Sequence, residues 1–186
     1  MPDPSLAAVL LAFALAGAGA ISDWRAEAIP NRLTLPSLAI APLLHAWAAR
    51  GLRPPLGSSG PLFAAAASLV SGGLCALVPL LLFRFRLAGG GDAKLLAALG
   101  ALLLPRTGLA VELLAYVFAA FFIPARLAYH GRLFATLGQT IATAANPALP
   151  ADRRRYLPNE MVDRIRLGPF ILLGTLSAHF LSRMTP

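Results

Sequence analysis

The sequence predicts an all-α, polytopic membrane protein in which about six transmembrane helices form one bundle. Three observations predict this class. Of the 186 residues, 58% are hydrophobic and only 13% are charged, with a mean hydropathy of +0.70, whereas soluble domains carry about 25% charged residues. Apolar stretches of helical length recur along the chain, with short polar breaks between them. Alanine and glycine are frequent within these stretches, as is typical of helices that contact one another closely in a membrane.

Six apolar segments are the predicted spans. They lie near residues 5–22, 33–49, 61–83, 93–105, 108–129 and 167–183. No long linker divides them, so residues 1–186 are predicted to form a single integral membrane domain. Within it, the segment at about 131–166 is predicted to be cytoplasmic, with an amphipathic helix over 132–149 that lies in the membrane interface, followed by a basic loop.

The distribution of positive charge predicts the orientation. With the N-terminus outside, twelve of the 16 Lys and Arg residues fall on the inner side and four fall on the outer side. Cytoplasmic loops carry an excess of Lys and Arg, so this orientation is the favoured one. The net charge of +8 is accordingly attributed to contact with anionic lipid headgroups, and no nucleic-acid partner is expected.

Metal and thiol chemistry are not expected. Cys75 is the only cysteine and lies in an apolar run, so it is predicted to be a buried packing residue and forms no disulfide within the chain. His45, His130 and His179 lie at different predicted depths and are interpreted as packed or interfacial residues. The sequence therefore predicts no metal site and no cofactor.

The few acidic residues indicate the candidate chemistry. Of eight, Asp23, Glu27 and Asp92 lie near the predicted cytoplasmic ends of spans, whereas Glu112 is placed near the outer face. Asp23 and Asp92 are far apart in sequence, but a helical bundle can bring them together on one face. Two carboxylates that share a site do not easily ionise together. The ionised one can then accept a proton from water and the protonated one can donate to a carbonyl oxygen, as aspartic proteolysis requires.

The residues that precede Asp92 suit this chemistry. Gly89, Gly90 and Gly91 permit backbone geometries that are closed to other residues, and they permit the close approach of a substrate chain. In the segment after Asp23, Pro30 holds the preceding residue extended and shapes the turn.

The predicted span that Asp92 opens is short. Residues 92–104 would form a helix of about 20 Å, which is less than the hydrocarbon thickness of about 30 Å. Either the bilayer thins there, or the Asp92 end lies in a wet recess below the membrane surface.

Other roles fit the same residues when each is considered alone. Asp92 is also consistent with a helix N-cap, and Asp23 with an interfacial anion paired with Arg25. Intramembrane acids also occur in transporters. A small transporter or channel that uses Asp23 and Asp92 for proton or cation passage is therefore an alternative function.

Three stretches of the chain carry motifs of one known family. The stretch GGGDAKLLAALG contains a GxGD motif, with Asp92 and Lys94. The stretch DWRAEAIPNRL begins at Asp23, includes Arg25 and ends its loop with Ile-Pro-Asn, and LGPFILLGTLSA begins at Leu167 in the last predicted span. In chain order the three stretches resemble the first-aspartate motif, the GxGD motif and the last span of the type IV prepilin peptidases, which are GxGD aspartic peptidases.

The resemblance implies a membrane aspartic endopeptidase in the bacterial inner membrane. Such an enzyme removes the short basic leader from prepilins at the cytoplasmic membrane face, typically just after a glycine. The resemblance assigns Asp23 and Asp92 as the catalytic pair. The residues expected to support the motifs or bind substrate are Gly89, Gly90, Gly91, Lys94, Arg25, Pro30, Asn31 and Glu27. The expected partners are a prepilin, the lipid bilayer and the pilus assembly machinery.

Specific roles follow for four of these residues. Arg25 and Lys94 are expected to anchor loops to headgroups, and Asn31 is expected to cap the second helix. An alternative role for Lys94 is to stabilise an ionised carboxylate, and the sequence does not decide between the two. Glu27 is expected to help receive the basic leader of the substrate.

The chain departs from the larger members of this family in two ways. It passes from the first span to the second in about ten residues and lacks the cytoplasmic insertion with paired Cys-x-x-Cys motifs. It also contains no recognisable methyl-donor site, so N-methyltransferase activity is not expected. The compact form resembles the peptidases of Flp/Tad pilus systems. A non-catalytic pilus assembly partner, which binds pilins without cutting them, is a further alternative.

Overall fold

The computed structural model describes residues 6–50, 60–84, 89–129 and 166–184, together with positions 131, 134, 137 and 138. Within these residues the longer elements are all α-helices and no strand occurs. They are α1 (Leu6–Ala26), α2 (Asn31–Arg50), α3 (Pro61–Arg84), α4 (Gly90–Tyr129) and α5 (Gly168–Met184). The predicted all-α class is confirmed for this part of the chain. The amphipathic helix predicted over 132–149 and the basic loop after it lie almost entirely outside the described residues.

The helices have the composition expected in lipid. Among the described helices, α1, α3 and α4 are long and apolar enough to cross a membrane, and α5 is a shorter apolar helix. In α3 the buried side is made of small or polar residues, and the exposed side carries leucine, valine and phenylalanine. The buried residues of α3 are Ser68, Ser71, Gly72, Cys75 and Pro79. This is the reverse of a soluble helix, because lipid solvates the large apolar side chains while small residues permit close contact between helices.

The long helix α4 reverses direction at Leu104. Leu104 has non-helical backbone angles (φ 63°, ψ 169°), and the following Pro105 disfavours helical geometry at this position. A Cβ atom added to Gly108 would lie 2.9 Å from the Cα atom of Gly100, whereas residues eight apart in a continuous helix are separated by about 12 Å. The fourth and fifth predicted spans are therefore two arms of a hairpin. We call residues 90–103 the central arm and residues 105–129 the return arm.

The central arm is buried along most of its length, and Lys94 is its one exposed residue. Its largest fully buried side chains are Leu95, Leu96, Leu99, Leu102 and Leu103. Helix α3 approaches so closely that a Cβ atom on Gly72 would lie 2.9 Å from the carbonyl oxygen of Ala97. Because other helices surround most of this short helix, it is packed mainly against protein.

Three side chains from α2 and α3 bind the free carbonyls at the end of the central arm. The last carbonyls of a helix have no partner within it, and here Pro105 also lacks an N–H group. The three bonds are Ser71 Oγ to Gly100 O (2.6 Å), Ser68 Oγ to Ala101 O (2.8 Å) and His45 Nε2 to Leu102 O (3.0 Å). These contacts fix the end of the central arm that lies farthest from Asp92.

Cys75 and two of the three histidines lie in described helices, where their predicted packing can be compared with the structure. Cys75 is fully buried and His45 is 4% exposed, which confirms both as packed residues. The ring of His179 contacts Phe13 edge-on, with 5.3 Å between centroids. His130 lies outside the described residues.

The carbonyl caps give a prediction about stability. We expect Ser71→Ala to lower the free energy of unfolding by about 1–3 kcal/mol, because the carbonyl of Gly100 is then buried without a donor. Ser182→Ala is the matched control, since its hydroxyl makes an exposed bond to the carbonyl of His179. Unfolding by SDS titration in mixed micelles measures both. Equal effects of the two substitutions would show that the hydrogen bond from Ser71 to the end of the central arm contributes nothing to the free energy of unfolding.

By its internal contacts the chain divides into two compact units. One contains residues 1–118 and 166–186, and it includes the helices that surround the central arm. The other contains residues 119–165, of which the structure describes the end of the return arm and four isolated positions.

Candidate active site

Asp23 lies in the last turn of α1, because this helix continues four residues beyond the predicted span and ends at Ala26. The side chain is 7% exposed. Its Oδ2 atom accepts a hydrogen bond of 2.9 Å from the backbone N–H of Gly168, at the start of α5. A Cβ atom on Gly168 would lie 2.8 Å from the Cβ atom of Asp23. The first residue of α5 must therefore be very small for the two helices to meet here.

Asp92 lies in the first turn of α4 and is 6% exposed. Its Oδ2 atom accepts a hydrogen bond of 3.3 Å from the backbone N–H of Gly89, the residue just before the helix. This is the reciprocal half of a capping box, in which an acid in the third helical position binds the N–H of the N-cap residue. Asp92 is thus not the N-cap itself, and the bond accounts for only one of its oxygens.

The two aspartates lie at the same end of the bundle, within electrostatic reach of each other. Ile29, in the turn between α1 and α2, helps to bring their helices together. A Cβ atom on Gly91 would lie 3.1 Å from the Cβ atom of Ile29. Among the described residues, the second carboxylate oxygen of each aspartate accepts no hydrogen bond. Two buried carboxylates that influence each other do not easily ionise together, and acid and base catalysis by a pair uses this difference in protonation.

The glycines before Asp92 are closely surrounded by protein atoms. A Cβ atom on Gly90 would lie 3.3 Å from the ring of Phe83, and the space beside Gly91 is filled by Ile29. Gly89 lies beside the carboxylate of Asp92, where a Cβ atom would be 3.1 Å from Oδ2. In this structure Gly90 and Gly91 thus permit close packing of the protein on itself, where the sequence suggested space for a substrate backbone.

Lys94 and Asn31 contact each other. The Nζ atom of Lys94 donates a hydrogen bond of 2.8 Å to Oδ1 of Asn31, the first residue of α2. Lys94 therefore joins the start of α4 to the start of α2, where the sequence suggested a headgroup anchor. Pro30 immediately precedes α2 and its carbonyl accepts the N–H of Leu33 at 3.0 Å. Arg25 is exposed in the last turn of α1.

Glu27 pairs with Arg166, a contact that sequence reasoning missed. Nη2 of Arg166 donates to Oε1 of Glu27 at 2.6 Å, and Nη1 donates to the backbone carbonyl of Trp24 at 2.7 Å. Sequence reasoning counted Arg166 as one charge of a basic loop. The missed signal was its position two residues before Gly168, in the stretch that resembles the last span of the family.

The return arm contributes two buried polar groups near the site. Glu112, which the sequence placed near the outer face, is 5% exposed. Its Oε1 atom and the hydroxyl of Tyr116, one turn further on, have no hydrogen-bond partner among the described residues. Tyr116 is within electrostatic reach of both Glu112 and Asp92. The reversal at Leu104 explains this proximity, because it places residue 116 at about the level of residue 92.

In the described ranges, no group of three or more His, Cys, Asp or Glu side chains is arranged to hold a metal ion.

Comparison with protein families gives one match. Residues 8–124 match the model of the type IV leader peptidase family. The matched region covers more than half of the chain and contains both Asp23 and Asp92. Neither the search of curated proteins nor the search of solved structures returned a match.

Proposed function

This chain belongs to the type IV leader peptidase family, and on that basis we propose that it removes the short basic leader from Flp-type prepilins by aspartic proteolysis. The proposed location is the bacterial inner membrane, with the N-terminus outside and the Asp23–Asp92 end of the bundle at the cytoplasmic face. The apolar stem of the prepilin would lie along the bundle within the bilayer. The excess of positive charge in the predicted inner loops supports this orientation.

The observation that carries the proposal is the pair of buried carboxylates. A carboxylate within an apolar helical bundle is costly unless it is used, and here two of them come from separate helices to the same end. Within the described ranges, each carboxylate accepts one bond, from a backbone N–H group. Helix capping therefore does not account for the burial of two acids together.

The proposed reaction uses both protonation states of the pair. The ionised aspartate accepts a proton from water as the water oxygen bonds to the carbonyl carbon of the scissile peptide. The protonated aspartate donates its proton to the carbonyl oxygen. When the tetrahedral intermediate collapses, the C–N bond breaks, the leaving nitrogen takes the proton from the first aspartate, and the second aspartate recovers its own. The cycle consumes one water and requires no cofactor.

The short connection between α1 and α2 supports assignment to the compact Flp/Tad type. The structure describes this connection as the four residues between Ala26 and Asn31. We propose leader removal without N-methylation of the trimmed pilin. The pilus assembly machinery is proposed as the destination of the product.

A reconstituted assay tests the function. The purified chain is placed in liposomes with a Flp-type prepilin, and the product is identified by intact mass and by its new N-terminus. We expect a single cut after a glycine, at the end of the leader, without added metal or cofactor. If no prepilin is cut, and a proton gradient across the same liposomes collapses faster than in empty ones, the transporter alternative is correct. If the prepilin binds without being cut, the chain is an assembly partner.

A further inference from the structure

The guanidinium group of Arg166 is held by three features that recognise a cation. They are the carboxylate of Glu27 at 2.6 Å, the backbone carbonyl of Trp24 at 2.7 Å and the face of the Trp24 ring, whose centroid is 5.5 Å away. A carboxylate, a carbonyl and an aromatic face together form a site for a basic side chain. We call Trp24 and Glu27 the cation subsite.

Glu27 occupies a position that favours glycine. Its φ angle is 52°, and its N–H donates to the carbonyl of Asp23 at 3.1 Å, as in the left-handed residue that ends many helices. A residue with a side chain is strained in this conformation, and glycine is not. The presence of glutamate indicates that the carboxylate has a use that outweighs the strain.

The cation subsite adjoins the catalytic carboxylate. Trp24 directly follows Asp23, and Gly168, two residues after Arg166, binds Asp23 Oδ2 through its N–H group. The subsite is also open, because the side chains of Arg166 and Glu27 are 35% and 49% exposed and Trp24 is 66% exposed. A second basic group can therefore reach Glu27 and Trp24 from outside.

We propose that Trp24 and Glu27 bind a basic side chain of the substrate leader, and that Arg166 occupies this subsite until the substrate displaces it. The proposal rests on the proposed function, since it names the part of the substrate that the site would recognise. The exchange replaces one cation with another, so Glu27 stays paired throughout. Displacement of Arg166 also loosens the segment that leads to Gly168, and so couples leader binding to the surroundings of Asp23.

Peptide binding tests this proposal without turnover. The Asp92→Asn background prevents cleavage, and the probe is a fluorescent prepilin leader peptide, compared with the same peptide in which glutamine replaces each basic residue. We expect the chain to prefer the basic peptide and Glu27→Gln to remove most of that preference, about fivefold for an exposed pair. Arg166→Gln is expected to tighten binding of the basic peptide by a similar factor, because the internal competitor is gone. Arg32→Gln, an exposed arginine at the start of α2, is the matched control and should leave both affinities unchanged.

Two further variants keep the test decisive. Arg166→Lys keeps the positive charge but has a single ammonium group in place of the two guanidinium N–H groups that bind Glu27 and Trp24. Its affinity for the basic peptide should therefore lie between that of the parent and that of Arg166→Gln, and an affinity below that of the parent would contradict the proposed competition. Glu27→Arg should favour the glutamine peptide over the basic one. If Glu27→Gln and Arg166→Gln leave the peptide preference unchanged, the cation subsite is refuted, even if the parent chain still cuts prepilin. If prepilin is not cut but the preference depends on Glu27 as described, the subsite is supported and the proposed proteolysis alone fails.

Discussion

Asp92→Asn is expected to reduce leader removal by at least about 10³-fold, and Asp23→Asn by a similar factor, since each removes one member of an acid–base pair. The asparagine side chain has nearly the shape of aspartate and its oxygen can still accept the N–H of Gly89 or Gly168. The local structure should therefore persist while the proton transfer is lost. The initial rate of prepilin cleavage in liposomes, quantified by mass spectrometry of the trimmed product, measures the effect.

An acid-to-amide change outside the pair is the appropriate control. Glu112→Gln removes the carboxylate of another buried acid of the bundle, and its oxygen is not bound to either aspartate. We expect cleavage within about threefold of the parent, with unchanged or higher stability, because an unpartnered buried carboxyl is lost. An Asp23→Asn or Asp92→Asn variant that retains more than a tenth of the parental rate would exclude the aspartyl mechanism.

Gly168→Ala is expected to reduce cleavage by about 10- to 100-fold through displacement of Asp23. The added methyl group would lie 2.8 Å from the Cβ atom of Asp23 and 2.9 Å from Oδ2, so the start of α5 and the end of α1 must separate. A shift of about 1 Å in a catalytic group is sufficient for a loss of this size. The reduction should appear in kcat, since Gly168 contacts the carboxylate and not the cation subsite.

Gly17→Ala is the matched control for this change. Gly17 is in α1, the helix that carries Asp23, and a Cβ atom there would have no neighbour within 4 Å. We expect its cleavage rate to equal that of the parent and its helix to be slightly more stable, because alanine favours a helix over glycine. If Gly168→Ala is folded by SDS titration and cleaves as fast as Gly17→Ala, the contact between α5 and Asp23 has no part in catalysis.

The sequence was sufficient to select Asp23 and Asp92 as a candidate pair on one membrane face, but not to predict the environment of either. Asp23 and Asp92 could be found because a chain with eight acids leaves few candidates near the same membrane face. The contact between Asp23 and Gly168 could not be found in this way, since it joins residues 145 positions apart. The sequence around a glycine at the start of an apolar helix does not indicate which group that glycine contacts.

The depth of burial was also beyond the sequence. The composition of an apolar segment is the same whether lipid or protein surrounds it, so the central arm was predicted only as a short transmembrane span. Glu112 was placed near the outer face because it lies in the first turn of the predicted fifth span. The sequence did predict the reversal of the chain, since the spans at 93–105 and 108–129 must run in opposite directions, but it did not predict that Glu112 is buried.

The hydrogen bonds that hold the central arm differ between its two ends. Ser68, Ser71 and His45 hold the end near Leu102 through buried hydrogen bonds. At the other end, Asp92 has a long bond from Gly89, and the nearby Lys94 is exposed to competing water. Asp92 lies about 15 Å along the helix from Leu102, so a tilt of about 5° about that end would move the carboxylate about 1.3 Å. Such a tilt would change the separation of the two aspartates without breaking a hydrogen bond within the helix, and the contacts of Gly90 with Phe83 and of Gly91 with Ile29 oppose it.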